Sequence, residues 1–296
     1  MINAIRRTFN FINNHPLAKR NLIKAYSNFI YWQLISRINS GMIIVPFIVP
    51  TKMYAKKGLT GVTGNIYTGL HEFEDMSFLL HLLIPNDLFF DIGANVGSYT
   101  ILASGVRKAH SISFEPIADT FNILYNNMDL NNIKNLVTCE NKGVGNRSEK
   151  LFFSNDEDVT NHVVTDEELS KRSVSVDMVT LDSYYPKYQP LLIKIDVEGF
   201  ETEVLNGANE ILKSQSLKAI IIELNGSGER YGYIETDIHE KLLMHKFKSF
   251  YYNPFTRNLS LKSNFGTHNT IYIRDFEFVQ NRLKTATSFK VFNELL

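Results

Sequence analysis

From residue 88 onward the chain repeats one pattern: a short apolar run, an acid near its end, a loop, then a segment with helical spacing. LFFDI (88–92) leads into VGSYTILAS (96–104). HSISFE (110–115) leads into ADTFNILYNNMDL (118–130), with Phe121, Leu124, Tyr125 and Met128 on one face. LLIKI (191–195) leads into DVEGFETEVLNGANEIL, where Phe200, Val204, Leu205 and Ile211 can face a core, and AIIIEL (219–224) precedes a helix at 236–245. Runs this short and apolar suit strands covered on both faces, and strands alternating with helices build a parallel sheet. The pattern predicts a doubly wound α/β domain, with 136–139 as a third strand and 247–252 and 270–274 as the last two. At 150–153 and 173–181 the apolar period changes to two, which predicts a β-hairpin insertion whose polar tip, 155–171, forms a lid.

Ligands of such a sheet lie at the carboxyl ends of its strands. Asp91, Glu115, Asp196 and Glu223 all fall there. Between Asp91 and the following helix, Gly93 and Gly97 allow a sharp turn and close approach, and Asn95 tolerates the left-handed conformation. A carboxylate at Asp91 repels a phosphate, so a nucleotide diphosphate is a poor occupant. Glu115 lies about 20 residues beyond the loop, where an acid can accept both hydrogen bonds of a ribose diol. A free ribose, a close glycine turn and a cationic or zwitterionic tail together describe S-adenosylmethionine. An NAD-dependent oxidoreductase shares the strand and the ribose acid, but GANVG departs from the G-x-G-x-x-G spacing.

Methyl transfer to a hydroxyl requires alignment and removal of one proton, and Asp196, Glu198, Glu223 and His162 are the candidate bases. Each has a structural alternative. Asp196 can cap the following helix, with Glu198 favouring its positive end, and His162 can be an exposed loop residue. Glu223 lies in an apolar strand and needs a partner, for which Lys194 is available. The carboxylates could offer oxygens to Mg²⁺ or Ca²⁺, but their spacing matches no closed site, so no metal is expected.

The series DIGANVGSYT (91–100), FEP (114–116) with NNMDLNN (126–132), VTLDSYY (179–185), IKIDVEGFETEVLNGA (193–208) and IIIEL (220–224) resembles the FkbM family of S-adenosylmethionine-dependent methyltransferases. IKIDVEGFE with VLNGA is its most specific part, and the likeness spans about residues 72–274. The resemblance implies a class I methyltransferase (Rossmann-like) fold with a mostly parallel seven-stranded sheet. It also implies O-methylation of a hydroxyl on a sugar, glycan or polyketide-type natural product. It places Asp91, Gly93, Asn95 and Gly97 in the cofactor loop, Glu115 at the ribose, and Asp196 between cofactor and acceptor. Asn141, or Glu140 beside it, falls where related enzymes contact adenine. A cofactor-binding but catalytically silent module that assembles with another protein is the alternative reading.

Lys+Arg and Asp+Glu both number 31, so no global field draws the chain to nucleic acid, and the expected acceptor is a small molecule, a sugar or a lipid-linked glycan. Tyr231, Tyr233, Tyr251 and Tyr252 can flank it or be ordinary half-buried tyrosines. The lone Cys139 excludes an internal disulfide and a cysteine zinc site, and fits a reducing, cytoplasmic setting. No apolar stretch with a cleavage site follows Arg6, Arg7, Lys19 and Arg20, and MIIVPFIVP (42–50) is about half the ~18 residues a spanning helix needs. That run reads as a buried strand or turn. Residues 1–70 form a helical or extended segment before a methyltransferase domain at 71–296. The aromatic positions within 1–37 either pack on that domain or give it a peripheral membrane contact.

Overall fold

Helices Ile2–Asn14 (α1) and Leu22–Ile38 (α2) begin the chain. The antiparallel hairpin Ile43–Pro46 (β1) and Lys52–Ala55 (β2) follows, then helices Thr60–Thr68 (α3) and Phe73–Leu82 (α4). The computed structural model describes residues 2–154, 162–164 and 173–296. The alternation read from sequence then unfolds in order. Strand Leu88–Ile92 (β3) enters a short helix, Ser98–Thr100 (α5), which widens over Ile101–Val106 so that the Arg107 N–H bonds the Leu102 carbonyl. Strand His110–Phe114 (β4), helix Ala118–Leu130 (α6) and strand Val137–Glu140 (β5) follow.

Next come Gly143–Val144 (β6), Lys150–Ser154 (β7) and Ser173–Val179 (β8), a small sheet ordered β6-β8-β7. Its β7–β8 pair is the expected hairpin, joined by a parallel strand the sequence did not announce. The lid expected at 155–171 lies outside the described residues except for 162–164. The chain returns with Leu192–Ile195 (β9), helices Glu201–Asn206 (α7) and Asn209–Lys213 (α8), and Ala219–Glu223 (β10). It continues through Glu235–Met244 (α9), Lys248–Asn253 (β11), Asn258–Leu261 (β12), Asn269–Ile273 (β13) and Phe276–Thr285 (α10), and ends in a small hairpin.

The central sheet runs β12-β11-β13-β10-β9-β3-β4-β5, parallel from β10 through β5, with β13 antiparallel. It has eight strands where seven were expected. The extra edge strand, NLSL, is too short and polar to signal itself. A turn creates it: the Asn253 side chain accepts the Phe255 and Thr256 N–H groups and Arg257 takes φ +56°.

Alternating strand residues feed two cores. Phe89, Leu192 and Ile221 pack with α4 and α10, whereas Phe90, Ile193, Ile220 and Ile222 pack with α7, α8 and α9. Phe90 is fully buried, and truncating such a residue to alanine costs ~3–5 kcal/mol. The same register sets Asp91 beside Lys194 on neighbouring strands, at the end of the first core.

Residues before 71 pack into a third core, where Ile12, Trp32, Val45 and Met53 meet Val96, Leu124 and Met128. Two asparagines of NNMDLNN hold that layer. Asn127 accepts the Tyr54 N–H and donates to the Val96 carbonyl, while Asn131 makes a reciprocal pair with the Lys52 backbone. The run 42–50 is a strand and turn as expected but only half buried: Val45 and Ile48 face inward, and Met42, Ile44 and Val49 are exposed.

Candidate functional site

A cavity of about 290 Å³ opens where the parallel strands end. Asp91, Gly93, Asn95, Glu115, Asp196, Glu198 and Glu223 all line it. The loop after β3 is the floor. The Gly93 and Ala94 N–H groups bond the Phe114 carbonyl, Gly93 has φ +78°, and Asn95 has φ +50°. A Cβ on Gly93 would lie 1.8 Å from the Asp196 carbonyl oxygen, so only glycine lets the loops after β3 and β9 touch. Gly97 serves otherwise. It is not among the lining residues, and a Cβ there would meet Leu124 of α6 at 2.6 Å, so its small size lets α6 pack against the loop.

Glu115 is buried and bridges the floor. One carboxylate oxygen accepts the Asn95 N–H and the other accepts the Ile117 N–H, each at 3.0 Å, which leaves lone pairs on both for a diol. Burial pushes its pKa up to about 7, against the pull of those two N–H groups. Asp91 accepts a 2.6 Å hydrogen bond from the Thr100 hydroxyl; burial raises it to about 6, with Lys194 opposing.

The Lys194 ammonium is the buried cation of the site. It donates to Asp196 at 2.6 Å and lies 4.8 Å from the centre of the Tyr99 ring. Burial pulls its pKa down, but Asp196, Glu72 and Asp91 more than offset this and the net shift is upward, so it stays charged. This corrects one expectation: the partner of Lys194 is Asp196, not Glu223, because residues two apart on a strand share a face. Asp196 also does not cap a helix. The next helix starts at Glu201, and the turn between is held by the Glu201 carboxylate, which accepts the Val197 and Gly199 N–H groups.

Ligating oxygens of Asp196, Glu198 and Glu223 lie within 4.8 Å of one another. Glu198 has φ +54°, so the loop carries its carboxyl into this group. Burial, then Asp196 and Glu201, raise Glu198 to about 7. Burial, then Asp196 and Glu198, raise Glu223 far above the ordinary carboxylate range. The Glu223 Oε2 atom is buried without a hydrogen-bond donor. Three acids around one lysine hold more negative charge than the site neutralises by itself. They can share protons, or they can receive a cation.

Other expected residues fall elsewhere. The Asn141 side chain donates to the Glu115 and Pro116 carbonyls and braces the turn; Lys142, Gly143 and Val144 form the lining instead. His162 is buried against Ser154, which accepts its N–H at 3.1 Å, and is not among the lining residues. Tyr231 packs edge-on against Phe200, which lines the cavity, while Tyr252 is buried with His81 behind the sheet and Tyr251 is exposed. Burial pushes the Cys139 thiol up to about 11, which leaves it unreactive.

Sequence reasoning missed Glu72, which accepts hydrogen bonds from Tyr99 and Asn269 and lines the cavity, and also Asn127 and Glu201. Asn127 and Glu201 lie inside the quoted motifs NNMDLNN and IKIDVEGFETEVLNGA, and Glu201 is also an acid in the first turn of a helix, whereas Glu72 carried no such signal.

The methyltransferase FkbM domain profile matches residues 91–250, which contain the loop after β3, Glu115, and the Asp196–Glu198–Glu223 group. The chain belongs to the FkbM methyltransferase family. Its cofactor is therefore S-adenosylmethionine, and the floor fits it: a glycine without room for a side chain and a buried acid with free lone pairs. The chain is similar to the hexuronic acid methyltransferase AglP of Haloferax volcanii, 27% identical over 195 residues, 64% of this chain and 78% of the relative. It is 28% identical over 151 residues to methyltransferase 1 of Beauveria bassiana, covering 43% of this chain and 60% of that relative. Among solved structures, precorrin-6y C5,15-methyltransferase of Geobacter metallireducens is 13% identical with a TM-score of 0.41, covering 75% of this chain and 93% of that one. Among the described residues no helix is long and apolar enough to cross a membrane.

Proposed function

We propose that this FkbM enzyme methylates a hydroxyl of a sugar or glycan, with Glu223 as the base. The observation that carries the reading is the Glu223 Oε2 atom, buried in the cavity without a donor and pressed against Asp196 and Glu198. Burial, then Asp196 and Glu198, hold its pKa at about 9 in the free protein, and in this reading the positive charge of the bound methyl donor draws it down toward the range a base needs. The named activity of the Haloferax relative supports a sugar acceptor.

In this reading, bound S-adenosylmethionine supplies an electrophilic methyl group. Glu115 receives its ribose hydroxyls, Gly93 and Asn95 give its amino-acid end close passage, and Lys142–Val144 flank its base. Asp91, Asp196 and Glu198 face its positive charge, which favours their ionised forms. Lys194 anchors Asp196, and Phe153 and Phe200 close the apolar wall. Glu223 takes the proton released by the acceptor hydroxyl. Holding the partners in line is worth on the order of 7–11 kcal/mol in well-oriented systems, and a base adds ~100- to 10,000-fold.

The test compares, by mass spectrometry, glycans from cells with and without this protein. The expected result is one methyl missing from a defined glycan in its absence, restored by the wild type but not by Glu223→Gln, which still binds S-adenosylhomocysteine. Full restoration by Glu223→Gln refutes the assignment of the base. An unchanged glycan profile, with cofactor still bound, would favour a silent module.

A further inference from the structure

The charge of this neutral chain is segregated. The first 71 residues hold nine Lys/Arg and no Asp or Glu, which leaves residues 72–296 with 22 basic and 31 acidic residues. All nine, Arg6, Arg7, Lys19, Arg20, Lys24, Arg37, Lys52, Lys56 and Lys57, are exposed. Of these, only Arg20 enters a salt bridge among the described residues, with Glu294.

Helix α2 carries the second half of the observation. It packs inward through Ala25, Trp32 and Ser36. Its opposite face is also apolar: Ile23 (87% exposed), Ile30, Tyr31, Leu34 (61%) and Ile38 (81%) stand in water. At 100° per residue these positions fall within about a quarter of the helix circumference, a stripe running ~22 Å along the axis. Lys24 and Arg37 flank it on either side by the same count. A helix apolar on both faces still has something to cover, and here the uncovered face lies in the segment that holds the positive charge.

We infer that α2 lies on an anionic lipid bilayer, its Ile23–Ile38 stripe in the headgroup boundary and the flanking Lys24 and Arg37 over acidic headgroups. A second copy of the chain docked through this stripe would bring Lys24 and Arg37 against their like, whereas an anionic membrane satisfies stripe and flanking charge together. The face is independent of the acceptor chemistry proposed above.

Flotation of the full chain with phosphatidylcholine vesicles, with and without phosphatidylglycerol, tests the inference. Binding to the anionic vesicles should exceed binding to neutral ones by at least about tenfold, and should weaken in about 1 M salt, where the screening length is ~3 Å. The double substitution I30D/L34D removes two exposed apolar residues without touching the core, so its circular dichroism should match the wild type while binding falls at least about tenfold. No flotation with either vesicle overturns the inference, as does undiminished flotation of I30D/L34D. So does a wild-type dimer in analytical ultracentrifugation that I30D/L34D turns into a monomer, which would assign the stripe to self-association.

Discussion

Replacing Glu115 by glutamine changes one oxygen to an NH₂ group, and the geometry sets the consequence. Both carboxylate oxygens accept backbone N–H groups at 3.0 Å, from Asn95 and Ile117. An amide can keep only one of these bonds and turns its own donor toward the other. The orphaned, buried N–H costs ~1–3 kcal/mol of stability. The cofactor loses an acceptor that can serve both ribose hydroxyls with charge assistance, a loss of ~1.5–3 kcal/mol, or about 10- to 150-fold in Kd. Calorimetric titration with S-adenosylhomocysteine reads the second quantity, and thermal unfolding of the free protein reads the first. A Kd within about twofold of wild type, with the fold intact, would mean that Glu115 shapes the loop but does not hold the ribose.

Three further outcomes are expected. Gly93→Ala forces a side chain into a left-handed residue and onto the Asp196 carbonyl, so cofactor affinity should fall on the order of 100-fold in the same titration; an unchanged affinity would refute the close approach of the two loops. Burial raises Asp91 to about 6 and Glu115 and Glu198 to about 7, so each holds a proton when folded that it has lost when unfolded. The free protein should therefore lose stability as pH rises through that window, while binding of the cationic methyl donor tightens with proton release, more steeply than binding of its uncharged-sulfur product. A flat pH profile would contradict it. Methyl transfer should stay within roughly twofold in excess chelator, because Lys194 already pairs with Asp196; activity lost and then restored by Mg²⁺ would make the three carboxylates a metal site.

The rim acids were legible because each ends a run of apolar residues, and a parallel sheet brings such ends together whatever else the chain does. The partner of Lys194 was less so: it depends on which face of β9 each side chain takes, and Glu223, a strand away, looked equally available. Gly97 and Asn141 stand at the right places in the chain, yet their atoms serve packing against Leu124 and bracing of the Glu115 turn. Asn127 stood inside the NNMDLNN motif, but its role, like that of Glu72, arises from segments distant in sequence that meet only after folding. The edge strand at Asn258–Leu261 was hidden by its polarity.

A crystal of the protein grown with S-adenosylhomocysteine tests the placement of the methyl donor most directly. The ribose hydroxyls should lie within hydrogen-bonding distance of the Glu115 carboxylate, and the sulfur should face Asp196, Glu198 and Glu223. A ligand bound with its ribose away from Glu115, or with its sulfur pointing out of that acidic group, would contradict the account.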